Sequence, residues 1–330
     1  MRYLIVALFS CAVIATIPGG AIAQSAGSAA ATKTAAGSSK AVAQKSTGAS
    51  SSRARSRNAA RRARPSEGQL AGLHRTDDPL DLKSSVALVV DQDTNEVLFQ
   101  KNPDAVLPIA SITKLMTALI TVDAELDLEE QLEVERADRT IDRMRSRLNP
   151  GVKLTRGQAL HLALMSSENH AAQLLGRTYP GGLTAAVAAM NAKAQLLGMH
   201  DTRFEDPTGL SAENRSSPAD LVRLVNAAYQ HPVLREYSTT SELSLPIGKR
   251  VVRYGNTNGL TKNPDWDIGL QKTGYISAAG RCLVMQAVIE GQRIVMVLLD
   301  SVGKYSRIGD AQRIRQWLEA NKSESGSPPV

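Results

Sequence analysis

Apolar runs separated by turn signals mark both ends of the part of the chain that can fold. Near its start, Ser84–Val90 and Asn95–Gln100 have the pattern of two strands joined by a polar hairpin turn. The last third contains further strand-like runs that alternate with turns, followed by a helix with one apolar side, namely Leu270–Tyr275, Cys282–Ile289, Arg293–Asp300 and Ile308–Ala320. The pattern therefore predicts strands at both ends of the folded part and a closing helix.

The segment between these strands has helical periodicity. Apolar residues at helical spacing predict an amphipathic helix directly after Pro108, and a capping box at Thr155–Gln158 opens the next one. Further helices are predicted to end near Tyr179, to span Leu183–Leu197 and to start at Ser217-Pro218. The order of strands, helix, helical insert, strands and helix predicts an α+β fold whose sheet is split in sequence and packs against helices.

The leader differs in charge from the rest of the chain. Residues 1–64 hold ten Lys or Arg and no Asp or Glu, so the net charge of +7 consists of +10 from this leader and −3 from the remainder. Arg2, the apolar run Tyr3–Ile17 and the triplet Ala21-Ile22-Ala23 match the three regions of a secretory signal peptide. The apolar run is too short to span a bilayer comfortably. We therefore expect an exported protein that is cleaved after Ala23.

Composition divides the rest of the chain. Residues 24–78 are rich in small and basic residues, which predicts a disordered basic linker before the folded domain at 79–320 and a polar tail at 321–330. The basic run Arg53–Arg64 either attaches to an anionic polymer or is a solvated linker. Cys11 leaves with the predicted signal peptide 1–23, so Cys282 can form neither an intrachain disulfide nor a cysteine–metal cluster.

A candidate nucleophile lies in the first turn of the helix after Pro108. Ser111 and Lys114 are three residues apart and therefore share a helix face. A desolvated lysine can accept the proton of a serine hydroxyl, and N–H groups at a helix N-terminus stabilise developing negative charge. About one Ser-x-x-Lys match is expected by chance in a chain of this length. A second match, Ser301–Lys304, follows a strand-like run and begins no comparable helix.

Two further motifs have both a functional and a structural interpretation. Ser167-Glu168-Asn169 lies at a break between helices, where its side chains can face a cleft or simply cap the second helix. The same spacing recurs at Ser56–Asn58 in the linker. Lys272-Thr273-Gly274 lies inside a predicted strand, where glycine often marks close approach by another backbone or a ligand. The alternative is an incidental lysine on an edge strand.

Together, in this order, the three motifs resemble those of the penicillin-recognising serine enzymes. Further stretches resemble low-molecular-mass penicillin-binding proteins, namely Pro108–Ser111, Leu164–Asn169, Tyr179–Gly182, Met190–Ala194, Thr202–Phe204, Asp206–Leu210, Asn256–Asn258 and Gly303–Tyr305. Among these proteins the chain is most similar, over about residues 80–320, to D-alanyl-D-alanine endopeptidases of the penicillin-binding-protein-7 type. The resemblance implies a β-lactamase/transpeptidase-like fold, in which an antiparallel sheet is flanked by helices and carries an inserted helical subdomain.

The resemblance also implies three catalytic residues. Ser111 would attack the carbonyl group of a D-Ala residue, and Lys114 would accept the proton of the serine hydroxyl. Ser167 would relay a proton toward the leaving amine. Water would then hydrolyse the resulting ester. This route implies no metal and no organic cofactor.

Five residues would bind the substrate on the same grounds. Asn169 would hydrogen-bond the substrate amide and Lys114. Lys272 would bind the anionic end of the substrate, and Thr273 would add a hydroxyl contact. The backbone N–H groups of Ser111 and Tyr275 would form the oxyanion hole, beside Gly274.

The implied activity is hydrolysis of D-Ala-containing peptide crosslinks of peptidoglycan by a periplasmic endopeptidase. A D,D-carboxypeptidase that trims pentapeptide stems is the nearest alternative, although the polar tail Asn321–Val330 does not resemble an amphipathic anchor helix. A β-lactamase is disfavoured because no convincing Glu-x-x-Leu-Asn loop separates the second and third motifs. A non-catalytic wall-binding protein would not need the complete set of motifs.

The expected partners follow from the same interpretation. They are peptidoglycan stems and crosslinks, β-lactams as inhibitors, and anionic wall polymers bound through the basic linker. We expect no nucleic-acid partner, because a nucleic-acid binder built on Arg53–Arg64 requires the signal peptide to fail. We also expect no membrane anchor after signal cleavage.

Overall fold

A computed structural model describes residues 64–140 and 146–325, with side chains described to residue 322. The predicted signal peptide, most of the predicted linker and the end of the predicted tail lie outside these residues. In chain order the described strands are β1 (Ser84–Asp91), β2 (Val97–Lys101), β3 (Leu107–Pro108), β4 (Gln131–Glu133), β5 (Lys153–Thr155), β6 (Arg215–Ser216), β7 (Glu242–Ile247), β8 (Arg250–Gly255), β9 (Asp267–Ile276), β10 (Gly280–Ile289) and β11 (Gln292–Ser301).

The described α-helices are α1 (Glu67–Leu70), α2 (Thr113–Asp123), α3 (Arg156–Met165), α4 (Asn169–Arg177), α5 (Gly182–Leu196), α6 (Pro218–Tyr229), α7 (Pro232–Thr239) and α8 (Ser306–Ser325). Helices α2 to α7 lie between the two groups of strands that form the main sheet, so the predicted helical insert is confirmed. None of the described helices is both long and apolar enough to cross a membrane.

The main sheet is antiparallel and joins the two ends of the domain. Its five strands have the spatial order β2–β1–β11–β10–β9. Strand β1 pairs with β11 so that Leu88 lies opposite Val297, which brings the first and last strands side by side. The predicted α+β sheet, split in sequence and covered by helices, is therefore confirmed.

Helices cover both faces of this sheet, which explains why β1 is buried along its whole length. Successive side chains of a strand point to opposite faces. Accordingly, Val86 and Leu88 join the core with the helical insert, whereas Ala87 joins the core beneath α8. On that second face Phe99 meets Trp317 of α8 edge to face, with ring centroids 6.0 Å apart.

The folded part begins earlier than the predicted boundary at residue 79. Ser66 caps α1, and the backbone N–H of Glu67 donates to the carbonyl oxygen of Ala278 at 2.9 Å. The carboxylate of Asp78 pairs with Lys101 at 2.8 Å, and both side chains are buried. The prediction of a linker to residue 78 was therefore wrong for residues 66–78. These residues are held by caps and polar pairs, which leave no apolar periodicity in the sequence.

Two elements between residues 230 and 266 have no counterpart in the predictions. Helix α7 is short, and the hairpin of β7 and β8 is mostly exposed, so neither carries a long apolar pattern. At the other end of the chain, α8 continues to Ser325, five residues past the predicted end of the domain at 320.

Candidate active site

The candidate nucleophile lies where the chain enters α2. Ser111 belongs to a 3-10 turn, Ala110–Ile112, that directly precedes the α-helix, and it is not within the first turn of that helix as predicted. Ala110 has a φ of +49°, a left-handed conformation that costs energy for a residue with a side chain. The hydroxyl of Thr113 donates to the carbonyl oxygen of Ala110 at 2.8 Å and helps hold this turn.

Lys114 is fully buried and its amine lies at the nucleophile. Its Nζ is 2.9 Å from Ser111 Oγ, 2.7 Å from Asn169 Oδ1 and 2.5 Å from the carbonyl oxygen of Thr208. The two carbonyl-type oxygens can accept both N–H groups of an uncharged amine, which leaves its lone pair directed at the serine hydroxyl. The arrangement is thus suited to take the serine proton.

A tight loop presents the Thr208 carbonyl to Lys114. The partly buried carboxylate of Asp206 accepts the backbone N–H groups of Thr208, Gly209 and Ser211 at 2.6, 2.8 and 2.9 Å. Burial opposes ionisation of Asp206, but these hydrogen bonds and those from side chains outweigh it and lower its pKa. A Cβ at Gly209 would lie 1.9 Å from the carbonyl oxygen of Ala110, so only glycine lets this loop pack against the nucleophile turn.

The second motif lies in the sharp connection between α3 and α4. Ser167 has a φ of +60°, and its Oγ lies 2.9 Å from Lys272 Nζ. The cap of α4 is Glu168, whose side chain accepts the N–H of His170, so Ser167 and Asn169 are not the capping residues. Both instead face the cleft that contains Ser111, as the functional interpretation expects.

Lys272 lies on the edge strand β9 but is fully buried, which corrects the picture of an incidental edge-strand lysine. Its Nζ lies 2.9 Å from Ser167 Oγ and also donates to the carbonyl oxygen of Thr273 at 2.8 Å. Burial, and to a smaller extent the charge of Lys114 and that of Arg307, lowers the pKa of Lys272 well below its usual range. The site thus holds two buried lysines, each paired with a serine.

Strand β9 passes very close to the nucleophile turn at Gly274. A Cβ at this position would lie 2.8 Å from the carbonyl oxygen of Ile109 and 3.1 Å from the backbone nitrogen of Ser111. The absence of a side chain lets β9 run beside Ser111, with Tyr275 next along the strand. Thr273 is held by Thr257, whose hydroxyl is 2.6 Å from its own.

These residues surround one cleft of about 500 Å³. It is lined by Ser111, Ser167, Asn169, Leu210, Thr257, Thr273, Gly274, Tyr275, Ile276, Ser277, Arg281 and Arg307. Lys114 and Lys272 are buried next to this cleft, where their amines contact Ser111 and Ser167 in its wall. The eight residues named from the sequence therefore lie together. The role of each of them remains a prediction.

The three motifs follow one another along the chain in the expected order, and their residues lie together at one cleft. A sequence profile described as D-alanyl-D-alanine carboxypeptidase, the peptidase S11 family, matches residues 73–303. The chain belongs to the peptidase S11 family. The match covers both halves of the main sheet and all three motifs, so the family resemblance is confirmed.

Individual relatives indicate which kind of S11 peptidase this chain resembles. It is 46% identical over 245 residues to a D-alanyl-D-alanine endopeptidase of Pseudomonas aeruginosa, covering 73% of this chain and 79% of the relative. A protein of the same name from Escherichia coli is 44% identical over the same shares. A crystal structure of a D-alanyl-D-alanine carboxypeptidase from Mycobacterium tuberculosis superposes with a TM-score of 0.68 at 29% identity, covering 74% of this chain and 94% of that chain.

Three residues of the S11 site were not named as site residues from the sequence. Asp206 and Thr257 lie in stretches that the resemblance had marked, but only the structure shows what they hold. Arg307 lines the cleft, is 8% exposed, and its Nε has no hydrogen-bond partner among the described residues. Burial, followed by the neighbouring charge of Arg281, lowers its pKa. A single arginine in a polar segment has no sequence signature that could have identified it.

Proposed function

We propose that this protein is a serine-type D-alanyl-D-alanine endopeptidase that cleaves D-Ala-containing peptide crosslinks of peptidoglycan through an acyl-enzyme at Ser111. The observation that carries the proposal is the buried amine of Lys114, 2.9 Å from Ser111 Oγ in an open cleft. A second serine–lysine pair, Ser167 and Lys272, lies in the same cleft at the same separation. Together they supply a nucleophile with a base and a separate donor for the leaving group.

In the first half-reaction Ser111 Oγ attacks the carbonyl carbon of the D-Ala residue while its proton passes to Lys114. The carbonyl oxygen becomes an oxyanion, which the backbone N–H groups of Ser111 and Tyr275 would stabilise where β9 passes the nucleophile turn. Losing one such donor typically costs about 3–4 kcal/mol of barrier height. Ser167, supported by Lys272, delivers a proton to the leaving amine and regains one from Lys114, and the C–N bond breaks to give an ester on Ser111 and an unprotonated Lys114.

In the second half-reaction water attacks the ester carbonyl carbon. One proton of that water passes to the base, the bond to Ser111 Oγ breaks, and the serine recovers its proton. The first peptide stem leaves with a new carboxylate. The chemistry needs only proton transfers and electrostatic stabilisation from side chains and backbone of this chain.

The anionic end of the substrate would bind at the positive side of the cleft. Arg307 has an unpartnered Nε there, and Lys272 is buried beneath Ser167. The paired hydroxyls of Thr257 and Thr273 lie at the same wall and can each turn toward a carboxylate. This arrangement favours a substrate with a carboxylate beside the leaving amine, as in a D-Ala-D-Ala terminus or a crosslink of the same stereochemistry.

A D-alanyl-D-alanine carboxypeptidase is the second candidate, because the family profile carries that description. The endopeptidase is favoured because the two relatives at 46% and 44% identity carry that name. Incubation with crosslinked muropeptide dimers and with monomeric pentapeptide, followed by mass analysis, separates the two activities. Monomers released from dimers, and not by the Ser111→Ala variant, are the expected result. D-Ala release from pentapeptide with intact dimers would favour the carboxypeptidase.

The predicted signal peptide supports a periplasmic location, and the basic leader supports binding to anionic wall polymers. A variant that lacks residues 24–63 keeps every residue that the structure describes. We expect it to hydrolyse soluble dimers at the normal rate and to bind isolated sacculi less tightly, most clearly at low salt. If the two proteins bound sacculi equally at all salt concentrations, the proposed electrostatic role of the leader would be wrong.

A further inference from the structure

A second cavity of about 370 Å³ adjoins the catalytic cleft. The two share Tyr275, Ser277 and Arg281 in their walls. The remaining wall of the second cavity comes from the N-terminal segment beginning at Arg64 and from the turn after β11 that contains Lys304. Because the two cavities share one wall, an extended molecule bound in the cleft lies within reach of the second cavity.

The accessible charge of this second cavity is positive. Arg64, Arg281 and Lys304 line it, and none of them forms an ion pair with an acidic side chain among the described residues. Asp300 also belongs to the wall, but it is 1% exposed and its carboxylate is enclosed by glycines. A Cβ at Gly280 would lie 2.2 Å from one of its oxygens. Burial raises the pKa of Asp300.

Two of these cations lie over aromatic rings, and a backbone hydrogen bond holds the N-terminal segment at the cavity. The guanidinium of Arg281 lies over the ring of Tyr275, 4.5 Å from its centroid, and Lys304 lies over the ring of Tyr305 at 5.1 Å. The N–H of Glu67 donates to Ala278 in the turn between β9 and β10, which fixes the N-terminal segment against the rim of the cleft. A site whose charges are already positioned loses little entropy when an anion binds.

We propose that this second cavity binds a carboxylate of the leaving peptide stem in a crosslinked substrate. The proposal rests on the proposed function and names the feature that separates the two substrate classes. A terminal D-Ala leaves with one carboxylate, next to its amine. A crosslink joins two stems, so the half that leaves as an amine carries a further carboxylate at its own C-terminus. The cleft accounts for the first carboxylate, and the second cavity provides three cations for the next one.

The test measures binding and does not depend on turnover. In a Ser111→Ala background, calorimetry compares a soluble crosslinked dimer whose leaving stem ends in a free C-terminal carboxylate with the same dimer ending in the C-terminal amide. We expect the free acid to bind about tenfold more tightly, as for a charge-assisted contact. Lys304 lines the second cavity but not the cleft, so Lys304→Gln should weaken the free acid about threefold and Lys304→Glu about tenfold, with the amide little affected.

Lys249→Gln is the matched control, because Lys249 is an exposed lysine beside the turn of the β7–β8 hairpin and lines neither cavity. Equal affinity for acid and amide in the parent, or no effect of Lys304→Glu, would overturn the subsite. Polyphosphate that displaces acid and amide alike would indicate a general polyanion surface and would also overturn it. Dimer hydrolysis by the unmodified protein is measured in parallel. Its absence would overturn the proposed function, whereas the acid–amide comparison would still decide the subsite.

Discussion

The chain contains two Ser-x-x-Lys tetrads, and the structure places them in very different surroundings. Ser111 and Lys114 lie on the turn into α2, where the lysine is fully buried and its amine is 2.9 Å from the serine oxygen. Ser301 ends β11, and its hydroxyl donates to Ser306 at 2.9 Å, whereas Lys304 is exposed and lies over Tyr305. In the first tetrad the lysine lies on the helix itself and is buried, so its amine is brought to the serine, whereas the second tetrad ends before α8 begins and its lysine is exposed.

Removing each serine in turn is the most drastic way to break this comparison. We expect Ser111→Ala to lower penicillin acylation and dimer hydrolysis by about 10⁴-fold or more, since the other catalytic groups act only through the nucleophile. Ser301→Ala should acylate at the normal rate. A labelled penicillin followed by peptide mapping and stopped-flow rates provides the measurement. Labelling of Ser301, or a labelled Ser111→Ala protein, would contradict the assignment.

Parts of this site could be predicted because they have local sequence signatures. The capping box at Thr155–Gln158 and the N-cap Ser217 are found as predicted. The three motifs, together with their order along the chain, identified the residues that the cleft brings together. The limits of the main-sheet strands were predicted to within about three residues, because apolar runs bounded by turn residues define them.

Other parts have no such signature. The Thr208 ligand of Lys114 is a backbone carbonyl, which any residue could supply, and its position depends on the Asp206 hydrogen bonds and on Gly209. The hydrogen-bond partner of the Lys272 amine is Ser167, which lies more than a hundred positions away in the sequence. The sequence also gave no indication that the segment around Glu67 packs beside the cleft, since its contacts are polar and mostly made by the backbone.

Replacing Lys272 tests whether burial beneath Ser167 serves chemistry or packing. Lys272→Met keeps most of the volume and deletes the ammonium. We expect penicillin acylation to fall about 10- to 100-fold, the equivalent of ~1.5–3 kcal/mol for a charge-assisted contact. The free energy of unfolding should change by only about 1 kcal/mol, because two effects oppose each other. The variant loses the hydrogen bonds of the ammonium, which destabilises the fold, but it no longer buries a charge, which stabilises it.

Lys272→Arg sharpens the result, since it restores the charge in a planar group too large for the enclosed position. It should recover only part of the acylation rate and should unfold at lower denaturant than the Met variant. Acylation rates and unfolding midpoints are measured on the same preparations. Wild-type acylation by Lys272→Met would mean that this lysine has a packing role alone.

A smaller effect is expected where β9 approaches the nucleophile turn. Gly274→Ala places a methyl group 2.8 Å from the carbonyl oxygen of Ile109, so the strand or the turn must shift. We expect about tenfold slower acylation and ~1–3 kcal/mol lower stability, as for an overpacked contact. Gly255→Ala is the matched control, because nothing lies within 4 Å of its added methyl group. Equal acylation rates in the two variants would show that the close approach is not needed for reactivity.

The smallest expected effect concerns His161, a buried basic group without a nucleophile beside it. The question is whether its burial affects only the stability of the fold. His161 on α3 stacks on Tyr237 with ring centroids 4.3 Å apart, and burial lowers its pKa to about 4. The unfolded chain, with an ordinary histidine pKa of about 6.5, therefore takes up this proton first as the pH falls. The stability contribution is complete above pH ~6.5 and is lost progressively toward pH 4, by about 1 kcal/mol at pH 5 once partial exposure is taken into account.

His161→Phe keeps a ring that can stack on Tyr237 and removes the titration. Its free energy of unfolding should therefore fall less between pH 7 and pH 5 than that of the unmodified protein. Urea unfolding at the two pH values measures this difference, and His200→Asn, at an exposed histidine, is the matched control. Acylation by penicillin at pH 7 should be normal in His161→Phe, because this imidazole does not line the cleft. An identical loss of stability in His161→Phe and the unmodified protein would show that the neutral, buried imidazole does not contribute to acid sensitivity.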